Sequence, residues 1–335
     1  MSRMRHVAEL EPAALRAVLA EWRFASAGLG VLALVAEADR EKVASLQAVC
    51  REMAIPLAGA VFPALVVEDG FAERGACLLR LEDAPPAVLL TDFSGDADDA
   101  AERIAAAVKP DLNGEAALLL IFDAMVPNVA TILDALYLRL ADRVHYLGVN
   151  AGSETFRPMP CLFDGARVGQ NGVLALRLPH HPGATLEHGY RAPEQMIAAT
   201  STEGNRIRTI DWRPAFDVYR EVVLAQYGVD INRDNFYQLA VHFPFGIVRA
   251  NDEILVRIPV ALAEDDSLFC VGEVPPNAML TLLQAPAVDS GRTVAALAKE
   301  IEELHGPMAG RDLLTFYCAG RRLHIGARAA DELEI

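Results

Sequence analysis

Hydrophobic and polar positions along the chain change period several times, and each change marks an element. Residues 11–22 read as a helix. "GLGVLALVA" (28–36) is a continuous apolar run of strand length, the pattern of a strand covered on both faces. In "DREKVASLQAVCREM" (39–53), Val43, Leu46, Cys50 and Met53 fall on one helical face. Stretches 55–67 and 75–82 read as strands, and 98–108 as a helix. The greasiest segment, "AALLLIFDAMVPNVATILDALYL" (116–138), contains Asp123, Pro127 and Asp134 and changes period midway. It therefore reads as a buried strand (116–123) followed by a helix (127–140), not as a membrane span. Strands follow at 144–152 and 172–179.

These segments form two similar series. In each, a strand is followed by a helix, a Gly-containing strand ("LAGA" or "LGVNAG"), a hairpin and a Gly-x-x-x-Leu-Arg-Leu strand. The closing strands are Gly75 to Leu81 and Gly172 to Leu178. A divergent duplication, about 28–91 and 115–179, is the favoured reading; two ordinary α/β units of similar composition are the alternative. A repeat this long is a pseudo-symmetric pair, not a solenoid.

Further on, "ATLEHGY" (184–190) reads as a strand with an awkward interior glycine. Residues 194–211 read as two strands around a "TEGN" turn. Residues 211–228 form a marked helix, with Asp211 as N-cap and Gly228 as C-cap. Strands are expected within 246–263, 267–274 and 278–285. A helix is expected at 293–306, with Val294, Leu297, Ile301 and Leu304 facing inward. Residues 312–326 read as the start of another strand, and "ARAADELEI" as a helix whose following strand is missing.

Composition narrows the function classes. The chain has 335 residues, of which 53% are hydrophobic and 23% charged, with a formal net charge of −16. That core is large enough to fold without disulfides or metals. The acidic balance argues against nucleic-acid and anionic-membrane partners. Five scattered cysteines with no C-x-x-C read as reduced core thiols of a cytoplasmic protein. The start, "MSRMRHVAELEPAAL", has no apolar signal-peptide region.

Catalytic motifs are sparse. The chain has no G-x-S-x-G elbow, no P-loop, no H-E-x-x-H and no Cys/His zinc spacing. Gly28, Gly30 and Ala33 fit G-x-G-x-x-A but lie inside the first strand rather than after it. The adjacent His180 and His181 read as a solvated loop. On a strand, His188 and Tyr190 would share a face, where they could hydrogen-bond a small polar ligand or the imidazole could hold haem iron. The plainer reading packs both at a domain boundary. By spacing alone, Asp211 is a helix cap, Arg257 a strand-end charge and Cys318 a small core residue.

Several blocks together resemble the FIST family (F-box and intracellular signal transduction). "LGVNAGSETF" (147–156), "CLFDG" (161–165) and "NGVLALRL" are similar to the Gly-rich heart of the FIST N part. Residues 187–219 resemble its close, through His188, Gly189, Tyr190, Asp211, Pro214, Ala215 and Tyr219. "HFPFGI" (242–247), "LVRIPV" (255–260), "VGEVPPNAML" (271–280) and "FYCAGRR" (316–322) resemble successive blocks of FIST C. The chain departs from the family at Pro276-Asn277, where a glycine is usual, and in lacking a closing Gly-Glu-Ile strand.

The resemblance implies a mixed α/β (α+β) fold: two duplicated N-terminal units, mixed sheets covered by helices, packed on a related C-terminal unit. The expected boundaries are a helical extension at 1–27, FIST N at 28–212 and FIST C at 213–335, the last cut short before its closing strand. It also implies a cytoplasmic, non-enzymatic sensory module. Amino acids are proposed ligands of the family, and some bacterial members are similar to haem-dependent nitric oxide sensors that act on a histidine kinase. The ligand is expected between the two parts, with His188, Gly189, Tyr190, Arg257, Asn150, Gly152, Cys318 and Arg321 facing it. Arg257 would meet a carboxylate, and His188 would be the iron ligand if haem binds. Two alternatives stand beside this. One is a hydrolase-type enzyme using His188 with Asp211 or Glu187, and Cys161 or Cys318 as nucleophile. The other is an interaction scaffold with no ligand.

Overall fold

The computed structural model describes residues 3–25, 28–68, 70–82, 87–108, 116–155, 157–249, 253–283 and 291–334. The first sheet begins earlier than 28. β1 (Met4–Val7) and α1 (Pro12–Ala25) precede β2 (Gly30–Ala36), α2 (Val43–Glu52) and β3 (Leu57–Phe62). A short hairpin, β4 (Leu65–Val67) and β5 (Gly70–Ala72), leads to β6 (Ala76–Leu81). The second series is β7 (Ala87–Leu90), α3 (Ala97–Val108), β8 (Ala117–Asp123), α4 (Val129–Leu140) and β9 (His145–Ala151). It continues with the hairpin β10 (Leu162–Asp164) and β11 (Val168–Gly169), and closes on β12 (Val173–Leu178).

Strand order repeats. The first sheet contains β1-β6-β2-β3 and the second β7-β12-β8-β9. In both, the Leu-Arg-Leu strand runs antiparallel to the central strand, which is parallel to the Gly-containing one. Gly59 lies opposite Ala33, and Gly148 opposite Leu120. A Cβ on Gly59 would sit 2.4 Å from the Ala33 carbonyl oxygen; one on Gly148 would sit 2.3 Å from that of Leu120. The same close strand approach thus requires glycine at the same place twice. Residues 4–25, expected as an extension, supply the counterparts of β7 and α3. Leu15, Leu19 and Trp22 of α1 are fully buried, so α1 is part of the first unit's core.

The N-terminal part is a four-layer sandwich. Leu118, Leu120 and Phe122 of β8 pack with Ile104 of α3 and Ile132 and Leu136 of α4. The alternate residues, Leu119 and Ile121, join the first sheet's core. This period-2 division of one continuous apolar strand is what burial on both faces means. The repeat breaks at the hairpins. β10 adds to β3 of the first sheet, whereas β4 and β5 pair only with each other.

The C-terminal part is antiparallel. β13 (Ile197–Glu203), β14 (Arg206–Ile210) and β15 (Arg213–Pro214) precede α5 (Ala215–Tyr227) and α6 (Phe236–Leu239). β16 (Phe245–Val248), β17 (Ile254–Arg257), β18 (Pro259–Leu262), β19 (Leu268–Cys270) and β20 (Met279–Leu282) complete an eight-stranded open sheet. Two helices follow, α7 (Gly291–His305) and α8 (Ala319–Ile325). α5 covers this sheet through Phe216, Tyr219 and Val223, all buried. Gly228 ends α5 at φ +68. The ends of two expected strands, 250–252 and 284–285, lie outside the described residues.

Several expected elements differ. Asp211 does not cap α5, whose N-cap is Pro214. Asp211 instead forms a tight turn with Trp212, and its carboxylate accepts the Ala198 N–H at 2.9 Å. Residues 184–190 form no strand, because His188 Nδ1 accepts the Tyr190 N–H at 3.0 Å and closes a local turn. Residues 312–318 pair with no strand. Leu314 and Phe316 instead strap this stretch to the first core, and the chain turns helical at Ala319. The segment 326–332 is a 3-10 turn. Val294, Leu297 and Ile301 of α7 are only half-buried, and Leu304 is exposed. His181 is half-buried, edge-on to His305 at 5.2 Å between centroids, rather than solvated. Cys318 is exposed, while the other four cysteines are buried.

Candidate functional site

α8 stands where the two parts of the chain meet. One side of it faces a cleft of about 880 Å³. The cleft's other walls come from the N-terminal part: Glu37 and Glu41 of the turn before α2, and Ser153 and Glu154 after β9. α8 supplies Arg322 and Leu323, and the following turn adds Gly326 and Ala327. Arg322 lies over the Phe71 ring at 4.8 Å and within 3.4 Å of Glu73. The loop after β9 is fixed by Gly152, whose N–H donates to the Val61 carbonyl at 2.9 Å.

The opposite side of α8 meets the His188-Gly189-Tyr190 turn. Gly189 has φ +66, and a Cβ there would lie 2.3 Å from Thr293 Oγ1 at the start of α7. Both the backbone angle and the approach of α7 demand glycine. The His188 and Tyr190 rings lie 5.8 Å apart between centroids, tilted by 43° to each other. Burial lowers the His188 pKa below its ordinary value, although Glu187 and the Ile254 backbone oppose this. Burial pushes the Tyr190 phenol up to about 12; Cys318 adds to the shift and Arg321 opposes it. Both rings are therefore neutral at pH 7.

Arg321 organises this side. Its Nη1 donates to the His188 carbonyl at 2.9 Å. Its Nε and Nη2 donate to the two oxygens of Glu332 at 2.8 and 2.5 Å. The Tyr317 hydroxyl donates to the same carboxylate. Arg321 and Glu332 are both buried. Glu332 lifts the Arg321 pKa further, and burial followed by Glu332 raises that of Tyr317.

The expected site residues thus fall into three places. His188, Gly189, Tyr190, Cys318 and Arg321 converge. Asn150 is exposed on β9, two residues before Gly152, which leads into the cleft wall. Arg257 sits apart: its Nε donates to the Glu273 carbonyl at 2.7 Å and its Nη1 to that of Val256 at 3.0 Å. The Glu273 carboxylate in turn receives the N–H and hydroxyl of Thr131 on α4. Burial lowers the Arg257 pKa.

The sequence pointed to neither Tyr317, Arg322 nor Glu332 as a site residue. Arg322 directly follows the expected site residue Arg321, and Glu332 lies eleven residues beyond Arg321 with no pattern that ties the two.

The haem reading fits poorly at His188, because Nδ1 accepts the Tyr190 N–H and burial surrounds the ring. That nitrogen is already engaged by the protein and is not presented for iron. For the hydrolase reading, burial raises the Cys161 thiol pKa and nearby Asp123 adds to it, the reverse of activation. Among the described residues, no group of three His, Cys, Asp or Glu side chains is placed to hold a metal ion.

A sandwich of two α/β units with matching strand order, joined to an antiparallel α+β part around one short helix, defines a two-part module. The chain belongs to the FIST family: the FIST N domain matches residues 29–213 and the FIST C domain residues 215–335. FIST domains are associated with signal-transduction sensing. No curated protein matches the chain. No described helix is long and apolar enough to cross a membrane.

Proposed function

We propose that this FIST protein is a sensory module that binds a small polar ligand at the junction of its two parts and passes the signal to a partner protein. The observation that carries this reading is the shared wall. α8 contributes Arg322 and Leu323 to the cleft and Arg321 to the His188 turn, so a ligand on either side bears on the same helix. Neutral His188 and Tyr190, charged Arg322 and the cleft glutamates suit a zwitterionic or hydrogen-bonding metabolite better than haem. The module works by binding rather than by catalysis, and it acts in the cytoplasm.

A thermal-shift panel of amino acids, nucleotides and haem tests the reading. A true ligand raises the melting temperature, by about 2.7 kcal/mol of stabilisation at a hundredfold over Kd. A silent panel favours the scaffold alternative. An identical Soret band from wild type and His188→Ala after haem reconstitution removes His188 as an iron ligand.

A further inference from the structure

Glu332 is bound as a ligand would be. A bidentate guanidinium and a phenol hydroxyl are a complete carboxylate-recognition set, and both oxygens are used. The receptor half has anchors of its own outside the turn that brings Glu332. Arg321 belongs to α8 and is held by the His188 carbonyl. Tyr317 belongs to the strap, edge-on to Phe71 at 5.2 Å, next to Phe316 on Phe62. The occupant half is lightly built. Among residues 326–332, Ala329 and Glu332 are the buried ones, and the Arg328–Asp331 pair within the turn is exposed.

We propose that Arg321 and Tyr317 form a carboxylate-binding site and that Glu332 occupies it as an internal competitor, so that a free carboxylate and the 326–332 turn exclude each other. The inference rests on the sensory reading and names the ligand class and the moving part. Gly326 and Ala327 of the same turn line the cleft beside Arg322, so displacing Glu332 changes the cleft wall as well. A ligand can shift such an equilibrium only by its differential affinity for the two states. Here the difference is direct, since the site has room for one carboxylate. A covalently attached competitor is present at high effective concentration, which weakens the apparent affinity of the free ligand.

The test is calorimetric titration of the full chain with L-glutamate and propionate, with propionamide as the uncharged control. Glu332→Gln keeps the shape of the competitor and removes its charge. It is expected to bind both carboxylates at least tenfold more tightly than wild type and propionamide not at all. Adding Arg321→Lys, which keeps the charge and loses the fork, should abolish the gain. In wild type, saturating L-glutamate should accelerate amide exchange across 326–332. Equal affinity in wild type and Glu332→Gln, binding that leaves exchange at 326–332 unchanged, or no carboxylate binding to Glu332→Gln would each overturn the proposal. If Glu332→Gln does not fold, Glu332→Asp, with its shorter reach, must show a smaller gain, and no gain overturns it. A panel ligand that binds while these tests fail leaves the sensory reading standing and removes only the competitor.

Discussion

At the scale of single residues, Gly189 is the position with the clearest physical demand. Its positive φ and the Thr293 hydroxyl at 2.3 Å from a notional Cβ act together. Gly189→Ala should therefore cost about 1–3 kcal/mol, as overpacking and a left-handed alanine do. Urea unfolding measures this. Thr293→Ala in the same chain should recover the steric share and leave the backbone share. Sequence pattern marked Gly189 as odd but assigned it to a strand. The pattern could not see that His188 would spend its ring nitrogen on the Tyr190 amide. A side chain that captures a main-chain donor two residues on removes that donor from any ladder.

Among elements, the paired glycines of β3 and β9 show one packing solution used in both units. Gly148→Ala would press a methyl against the Leu120 carbonyl, and Gly59→Ala would do the same at Ala33. Each should lower stability by about 1–3 kcal/mol in denaturant titrations. An unchanged midpoint for both would mean that the strands separate without cost. The apolar runs of β2 and β8 and the helix α2 were legible because burial on two faces or one stripe leaves a period in the sequence. The strap at 312–318 was not legible as such. "LLTFYCAG" carries strand-like residues, yet an extended segment becomes a strand only when a neighbouring edge is free to pair with it. α7 shows the converse, since its apolar stripe is correctly periodic but only half-covered. Periodicity reports what a face could bury, not what arrives to bury it.

Across the whole molecule, the junction makes stability depend on pH. Burial lowers the pKa of His181, His188 and His242 below the ordinary 6.5. The unfolded chain binds protons first as pH falls, so these groups' contribution is full above about 6.5 and is lost as pH drops through their folded values. The urea midpoint should fall between pH 7.5 and 5.5. His188→Asn, whose side-chain oxygen can still accept the Tyr190 amide, should flatten that fall; an unaltered slope would show that His188 does not titrate on unfolding.

The sequence by itself determined the α/β class, the central strands and flanking helices of both repeats, the likeness to FIST and the cluster of His188, Gly189 and Tyr190 as a place of interest. Those are local or periodic properties, written in neighbouring residues. Only the tertiary structure decided that β1 and α1 belong to the first repeat, that α8 is the wall shared by the cleft and the His188 turn, and that Glu332 fills the fork of Arg321. Those are long-range pairings. A guanidinium on α8 and a carboxylate at the end of the following turn find each other because burying either alone costs several kcal/mol, and no spacing in the chain records that meeting.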